Sequence, residues 1–233
     1  MRISLAAILA VSIVLSPLGA RAATKEAPAA ARLDDAADVM TDMMKESDKG
    51  IPQDLLNKAH CVIIVPNLKK AGFVVGGKYG RGFVMCRQAS GTGWSAPASI
   101  RIEGGSFGFQ IGASEQDVLL LVMNDTGMKR LLGNKFTVGG EASAAAGPVG
   151  REATAQTDAA MRAEMLSYSR SRGLFAGISL QGATLRPDDD ANAELYGTKD
   201  VTNKAILTGS VKTPAAAEKL ESLLNRNSSR QTR

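Results

Sequence analysis

Apolar positions change their spacing along the chain, and the spacing predicts the elements. Leu33, Ala36, Ala37, Met40, Met43 and Met44 recur at three- and four-residue intervals, one face of a helix that Gly50 stops. The opposite face carries Asp34, Asp35, Asp38, Asp42 and Glu46, balanced only by Lys45 and Lys49. Such a face is repelled by an anionic membrane, so the helix is expected to pack on a core through its Met stripe. Pro52 opens a short helical turn through Lys58, in the first-turn place that proline tolerates.

Short apolar or alternating runs follow: Cys61 to Val65, Gly72 to Gly77, Gly82 to Arg87, Ser99 to Glu103 and Phe107 to Gly112. Gly, Pro, Asn and Ser clusters separate them, which predicts strands, with Lys78-Tyr79-Gly80 as a hairpin turn. Their close spacing favours antiparallel pairing, because a parallel crossover needs a dozen or more residues. The uninterrupted run Val118 to Val122, within Asp117 to Met123, predicts a strand buried on both faces, and Asp125 to Leu132 a short helix. Lys135 to Gly150 is rich in Gly and Ala, which lets backbones approach closely. Met165 to Tyr168 and Leu174 to Leu185 resume strand character, and Asp188 to Tyr196 reads as a short helix or loop. Pro214 starts a last helix whose Ala217, Leu220, Leu223 and Leu224 form an apolar stripe. The fold class expected is α+β: one domain with a curved, mainly antiparallel sheet and flanking helices.

The amino terminus has a different character. Met1-Arg2, the apolar run Ile3 to Leu15 and the small-x-small Ala20-Arg21-Ala22 read as a secretory signal peptide over residues 1–22. The run is too short for a stable transmembrane anchor, and no cysteine follows it closely enough for lipidation. The expected organisation is therefore a signal peptide, a flexible leader over 23–32, a domain over 33–226 and a disordered tail over 227–233. The expected location is periplasmic or secreted.

Of the 233 residues, 28 are basic and 23 acidic; loss of Arg2 and Arg21 with the signal leaves a net charge of +3. That balance is weak and dispersed, so nucleic acid is not an expected partner. One histidine, His60, and two cysteines, Cys61 and Cys86, supply no structural zinc set and no cofactor ligand pattern. His60 reads as a strand-start residue without a catalytic role. In an oxidising compartment the two cysteines can pair, closing a loop of about 25 residues worth roughly 3 kcal/mol; two buried thiols are the alternative. Gly76-Gly77-Lys78-Tyr79-Gly80-Arg81-Gly82 invites a phosphate-loop reading, but Phe83 to Cys86 after it reads as a strand, not the helix such a loop requires. Asp188-Asp189-Asp190 lacks calcium-loop spacing and reads as a solvated loop. No Gly-x-Ser-x-Gly element is present, so acyl-transfer chemistry has no support.

Several motifs run through most of the chain: Val65-Pro66, Lys69 to Gly77 with Gly80 and Gly82, and Trp94-Ser95-Ala96-Pro97. Gly104 to Gly112, Ala145 to Arg151 and Ser167 to Gly177 complete the series. In this order and spacing the sequence resembles the SYLF domain family over about residues 33–226. The resemblance implies a non-catalytic lipid-binding module: eukaryotic members bind phosphoinositides and other anionic phospholipids, and some bind actin. Actin binding is not expected of a chain with an export signal; affinity for anionic phospholipid is. On the matched motifs the candidate headgroup ligands are Lys69, Lys70, Lys78, Arg81, Arg151, Arg170 and Arg172. Cations that meet phosphate oxygens are what such binding needs. The alternative is a cell-envelope structural or interaction module that binds a protein partner.

Overall fold

The computed structural model describes residues 28–45, 50–133, 135–140, 143–149, 162–171 and 174–228, with the side chains of 73–75 and 106–112 outside that description. The elements in chain order are α1 (Ala29–Lys45), α2 (Gln53–Lys58), β1 (Cys61–Cys86), β2 (Ala98–Val122), α3 (Asp125–Leu131), β3 (Phe136–Thr137) and β4 (Ala144–Ala146). Then come β5 (Met165–Ser171), β6 (Leu174–Gly177), β7 (Ala183–Pro187), α4 (Asp189–Tyr196), α5 (Asn203–Leu207), a 3-10 turn (Ala215–Ala217) and α6 (Glu218–Asn227). The strands form one curled sheet, antiparallel except for the parallel pair β4–β5. The α+β architecture read from the pattern is the observed one.

Two strands dominate it. β1 pairs antiparallel with β2 from Cys61 opposite Val122 to Val84 opposite Ala98, with register shifts between Val65 and Leu68 and between Gly72 and Val74. The hairpin turn expected at Lys78-Tyr79-Gly80 is therefore absent: these residues sit in mid-strand, opposite Gly104, Glu103 and Ile102. The true connection is 87–97, closed by the bridge between Arg87 and Trp94. The glycines that looked like turn punctuation bend the ribbon instead. A Cβ on Gly82 would stand 2.1 Å from the Ile64 carbonyl oxygen, and one on Gly80 would stand 2.7 Å from Leu68 Cδ1. Only glycine lets the far end of β1 lie on its own beginning. The ends meet where the Arg87 N–H donates to the His60 carbonyl at 2.8 Å and Cys61 is disulfide-bonded to Cys86, Cα to Cα 4.0 Å.

Alternation along the ribbon then sorts side chains to two sides. Cys61, Ile63, Val65, Leu68, Val84, Cys86, Ile100, Ile102, Val118 and Leu120 line the concave side and bury against Phe136, Val138, Leu185, Ile206 and Leu207. Val62, Ile64, Phe83, Met85, Leu119, Leu121, Leu166 and Tyr168 face the other way, under Leu33, Met40 and Met43 of α1 and Leu220 and Leu224 of α6. The Met stripe is thus core packing, as its spacing predicts. Helix α1 begins at Ala29, inside the expected leader, and Ala29 is buried. No helix among the described residues is long and apolar enough to cross a membrane.

The chain end is also tied down. Ser228 is buried; its carbonyl accepts from Trp94 Nε1 at 3.2 Å and from Arg87 Nη1, and its hydroxyl donates to the Leu56 carbonyl at 3.2 Å. Arg87 stacks 4.0 Å over the Trp94 ring, so Ser228 is held between α2 and the 87–97 connection. The frayed tail expected from Asn227 therefore starts no earlier than residue 229, and residues 229–233 lie outside the described residues.

Candidate functional site: the cations of the curled ribbon

Five of the seven candidate cations fall within the described residues; Arg151 and Arg172 lie outside them. The structure places the five on different sides of the sheet and in different company.

Arg81 sits opposite Arg101 on the convex side, and β7 pairs on the far side of β2. Its guanidinium grips Asp188 bidentately, Nη2 to Oδ1 at 2.8 Å with Nε on Oδ2. Asp188 is fully buried and caps α4, accepting from the Ala191 N–H at 3.4 Å. This corrects the solvated-loop reading of Asp188-Asp189-Asp190: a carboxylate one residue before a helix is a natural cap, and here a buried arginine neutralises it. Glu103 beside this pair engages Arg101 at 3.3 Å and Arg186 at 2.7 Å. Arg170 on β5 reaches Asp42 of α1 at 2.9 Å and Asp117 of β2 at 3.5 Å, tying the helix to the sheet. Lys69 lies 3.7 Å from Glu115 with both side chains well exposed.

Lys70 and Lys78 are placed differently. Both share the parity of Leu68, Val84 and Cys86 along β1 and so belong to the concave side, spaced by Gly72 and Gly76. Lys78 is 7% exposed, and its ammonium donates to the Gln181 carbonyl at 2.9 Å. Burial pushes its amine below the ordinary lysine range, and the positive charge of Lys70 pushes it further. Burial also lowers Lys70. Among the described residues neither lysine has a carboxylate partner. Gln116 occupies the same side, opposite Leu68 and one diagonal step from Lys70, and its Nε2 is buried without an acceptor. Sequence reasoning missed Gln116 because an isolated glutamine in a polar stretch carries no signal until the register sets its side.

The remaining expected features resolve simply. His60 precedes β1, with Nδ1 3.2 Å from Asp125 Oδ1. No cluster of three or more metal-ligating side chains exists among the described residues. The Gly- and Ala-rich segment brings Gly147 against the Tyr168 ring, where a Cβ would stand 2.1 Å from Cζ. Tyr168 stacks on Phe175 with ring centroids 5.6 Å apart.

The described residues form a curled α+β half-barrel with Lys70 and Lys78 on its concave side, and the comparison of sequences says which family builds it. Residues 103–227, more than half of the chain, match the Ysc84 family, described as Las17-binding protein actin regulator. The chain belongs to this family, the one also called SYLF. An SH3 domain-containing protein of Schizosaccharomyces pombe is 41% identical over 179 residues, covering 75% of this chain and 41% of that protein. SH3 domain-containing YSC84-like protein 1 of Rattus norvegicus is 37% identical over 179 residues, with 76% and 52% covered. LAS seventeen-binding protein 3 of Saccharomyces cerevisiae is 36% identical over 177 residues, with 75% and 38% covered. The chain thus spans about half the length, or less, of the relatives it matches.

Proposed function

We propose that this protein is a non-catalytic, extracytoplasmic binding module that attaches to anionic phospholipid headgroups at a membrane surface. The observation that carries the reading is the unneutralised pair Lys70 and Lys78 on the concave side of the ribbon, whereas Arg81 and Arg170 on the convex side each meet a carboxylate. Two lysines brought together without a counter-charge lower stability, and a fold retains such a pair where it serves a ligand. Anionic headgroups supply the missing charge, at about 1 kcal/mol per basic residue near the surface. The signal-peptide pattern of residues 1–22 supports an exported location, and so does the Cys61–Cys86 bond, since disulfides persist in oxidising compartments.

The test is co-sedimentation with neutral and with anionic vesicles at low and high salt. Retention by anionic vesicles that fades as salt rises is the expected result. Absence of retention under both salts rejects the lipid reading. A second reading has its own support: the family description and the yeast relative's name both refer to binding Las17, a protein. A protein captured by crosslinking, with no lipid retention, is the result that favours a protein-binding module of the cell envelope.

A further inference from the structure

The middle of the β1–β2 ribbon is built unlike its ends. β7 leaves β2 at Gly104 and β5 joins it at Asp117, so positions 105–116 pair with β1 alone. Two strands without a third strand or a covering helix are only marginally stable in water. On the convex side of this stretch Ala71, Gly77 and Tyr79 of β1 and Gly105, Ala113 and Glu115 of β2, all odd-numbered, are exposed. On the other side Lys70, Gly72, Gly76 and Gly104 are half-buried and Lys78 is buried. A Cβ on Gly105 would meet nothing within 4 Å, and one on Gly77 only the Gly104 carbonyl oxygen at 4.0 Å. Further along the same odd parity, Phe83, Met85, Leu119 and Leu121 lie buried under α1 and α6. The helices cover the two ends of that side, and the described positions in its middle are open.

In that open stretch the odd-numbered positions are also the apolar ones. Phe73, Val75, Phe107, Phe109 and Ile111 alternate with Val74, Ser106, Gly108, Gln110 and Gly112. Val75 stands opposite Phe107, and Phe73 faces the longer run Phe109 to Ile111 at the register shift after Gly72. Such alternation belongs to a strand with one apolar side that needs cover. The stretches 69–78 and 104–116 carry Lys69, Lys70 and Lys78 against Glu115 alone. An apolar sheet face with a net positive collar matches hydrocarbon and anion together. An anionic bilayer offers both in adjacent layers, acyl chains beneath phosphates.

We propose that the middle of the ribbon is a membrane-inserting tip, with Phe73, Val75, Phe107, Phe109 and Ile111 entering the acyl layer of an anionic bilayer while the lysines stay among the headgroups. The inference rests on the lipid-binding reading and deepens it: charge brings the protein to the surface, and apolar insertion holds it there. Tryptophan placed at the tip is the probe, since the one native tryptophan, Trp94, is fully buried and donates to the Ser228 carbonyl at 3.2 Å. Gly105→Trp and Phe107→Trp are each mixed with vesicles of phosphatidylcholine and phosphatidylglycerol, with ordinary or brominated acyl chains.

The emission of both variants is expected to shift to the blue on the vesicles and to be quenched by the brominated chains. Phe107→Ser combined with Phe109→Ser is expected to lower retention by about tenfold or more, because two aromatic rings leave the hydrocarbon, while the thermal transition stays level. Gly105→Trp reads the same side of the ribbon at a position with open space, so the test remains valid should the serine variant fold poorly. Retention of the serine variant like the parent, with neither tryptophan quenched, overturns the tip and leaves headgroup attraction standing. A thermal transition lowered by several degrees without quenching shows that the chain itself covers this face. A mass halved by the serine substitutions in sedimentation equilibrium, again without quenching, shows that a second copy covers it. Either result overturns the tip. Absence of parent retention by any vesicle rejects the lipid reading and the tip with it.

Discussion

The convex and concave sides of the ribbon treat positive charge in opposite ways. On the convex side Arg81, Arg101, Arg186 and Arg170 each reach a carboxylate; Arg81 ties β1 to the cap of α4, Arg186 ties β7 to β2, and Arg170 ties β5 to α1 and β2. On the concave side Lys70 and Lys78 face each other's field with no carboxylate among the described residues. Arginine suits the first task because its planar fork grips a carboxylate bidentately and stays charged when half buried. Lysine suits the second because its ammonium is a compact donor whose charge responds to its surroundings. A count of basic residues on the family motifs treats all of them alike; the sheet divides those described into charges that meet a carboxylate and two lysines that meet none.

The sharpest way to break this comparison is Arg81→Ala. It strands the fully buried Asp188 carboxylate, so a loss of about 3–5 kcal/mol is expected in chemical denaturation. Pairing it with Asp188→Asn should restore part of that loss; a single variant as stable as the parent would show that Arg81 is not a structural charge. Next in size is reversal of Arg170 to Glu. The sequence analysis counts Arg170 among the candidate headgroup ligands. The structure brings Asp42 and Asp117 to it, so three carboxylates would meet and the thermal transition should fall by several degrees.

The lysines should respond with the opposite sign. Both amines titrate below the ordinary lysine value, so between their folded values and 10.5 the unfolded chain binds more protons and stability rises with pH. Lys78→Met is expected to flatten that rise in thermal scans between neutral pH and pH 10; an unchanged slope contradicts the placement of Lys78. Above pH 10 burial of Tyr168 and Tyr196 acts the other way, because phenols held protonated in the fold ionise freely once it opens. Tyr168→Phe should show the smallest effect. The Tyr168 hydroxyl is buried without a partner, so its removal should leave stability unchanged or slightly higher at neutral pH and weaken the alkaline loss. A drop of more than 1 kcal/mol at neutral pH would show that the hydroxyl is satisfied after all.

Where the sequence misled, glycine is the common cause. Gly76, Gly77, Gly80 and Gly82 have the composition of a turn, yet each lies in a continuous strand opposite a partner. A turn glycine and a close-approach glycine look identical in one dimension, since what separates them is the distance to a backbone far along the chain. Gly82 needs glycine because Ile64, 18 positions earlier, lies against it. Asp188 misled for a related reason: beside Asp189 and Asp190 it reads as solvated, and only the arrival of Arg81 from 107 positions away makes it a buried ion pair.

Local periodicity was sufficient for everything that depends on near neighbours. The helical spacing from Leu33 to Met44, the doubly buried run Val118 to Val122 and the proline-started last helix all appear where the pattern put them, because a helix or strand must bury its apolar side. The motif order also named the family. Tertiary structure alone decided which of the described cations meet a carboxylate. Whether an arginine or a lysine meets a carboxylate depends on the register of β1 against β2 and on how far the ribbon curls, and both are long-range properties. A single step of register carries a side chain from one side of a sheet to the other, so the division between Arg81 and Lys78, three residues apart, existed only once the ribbon had closed.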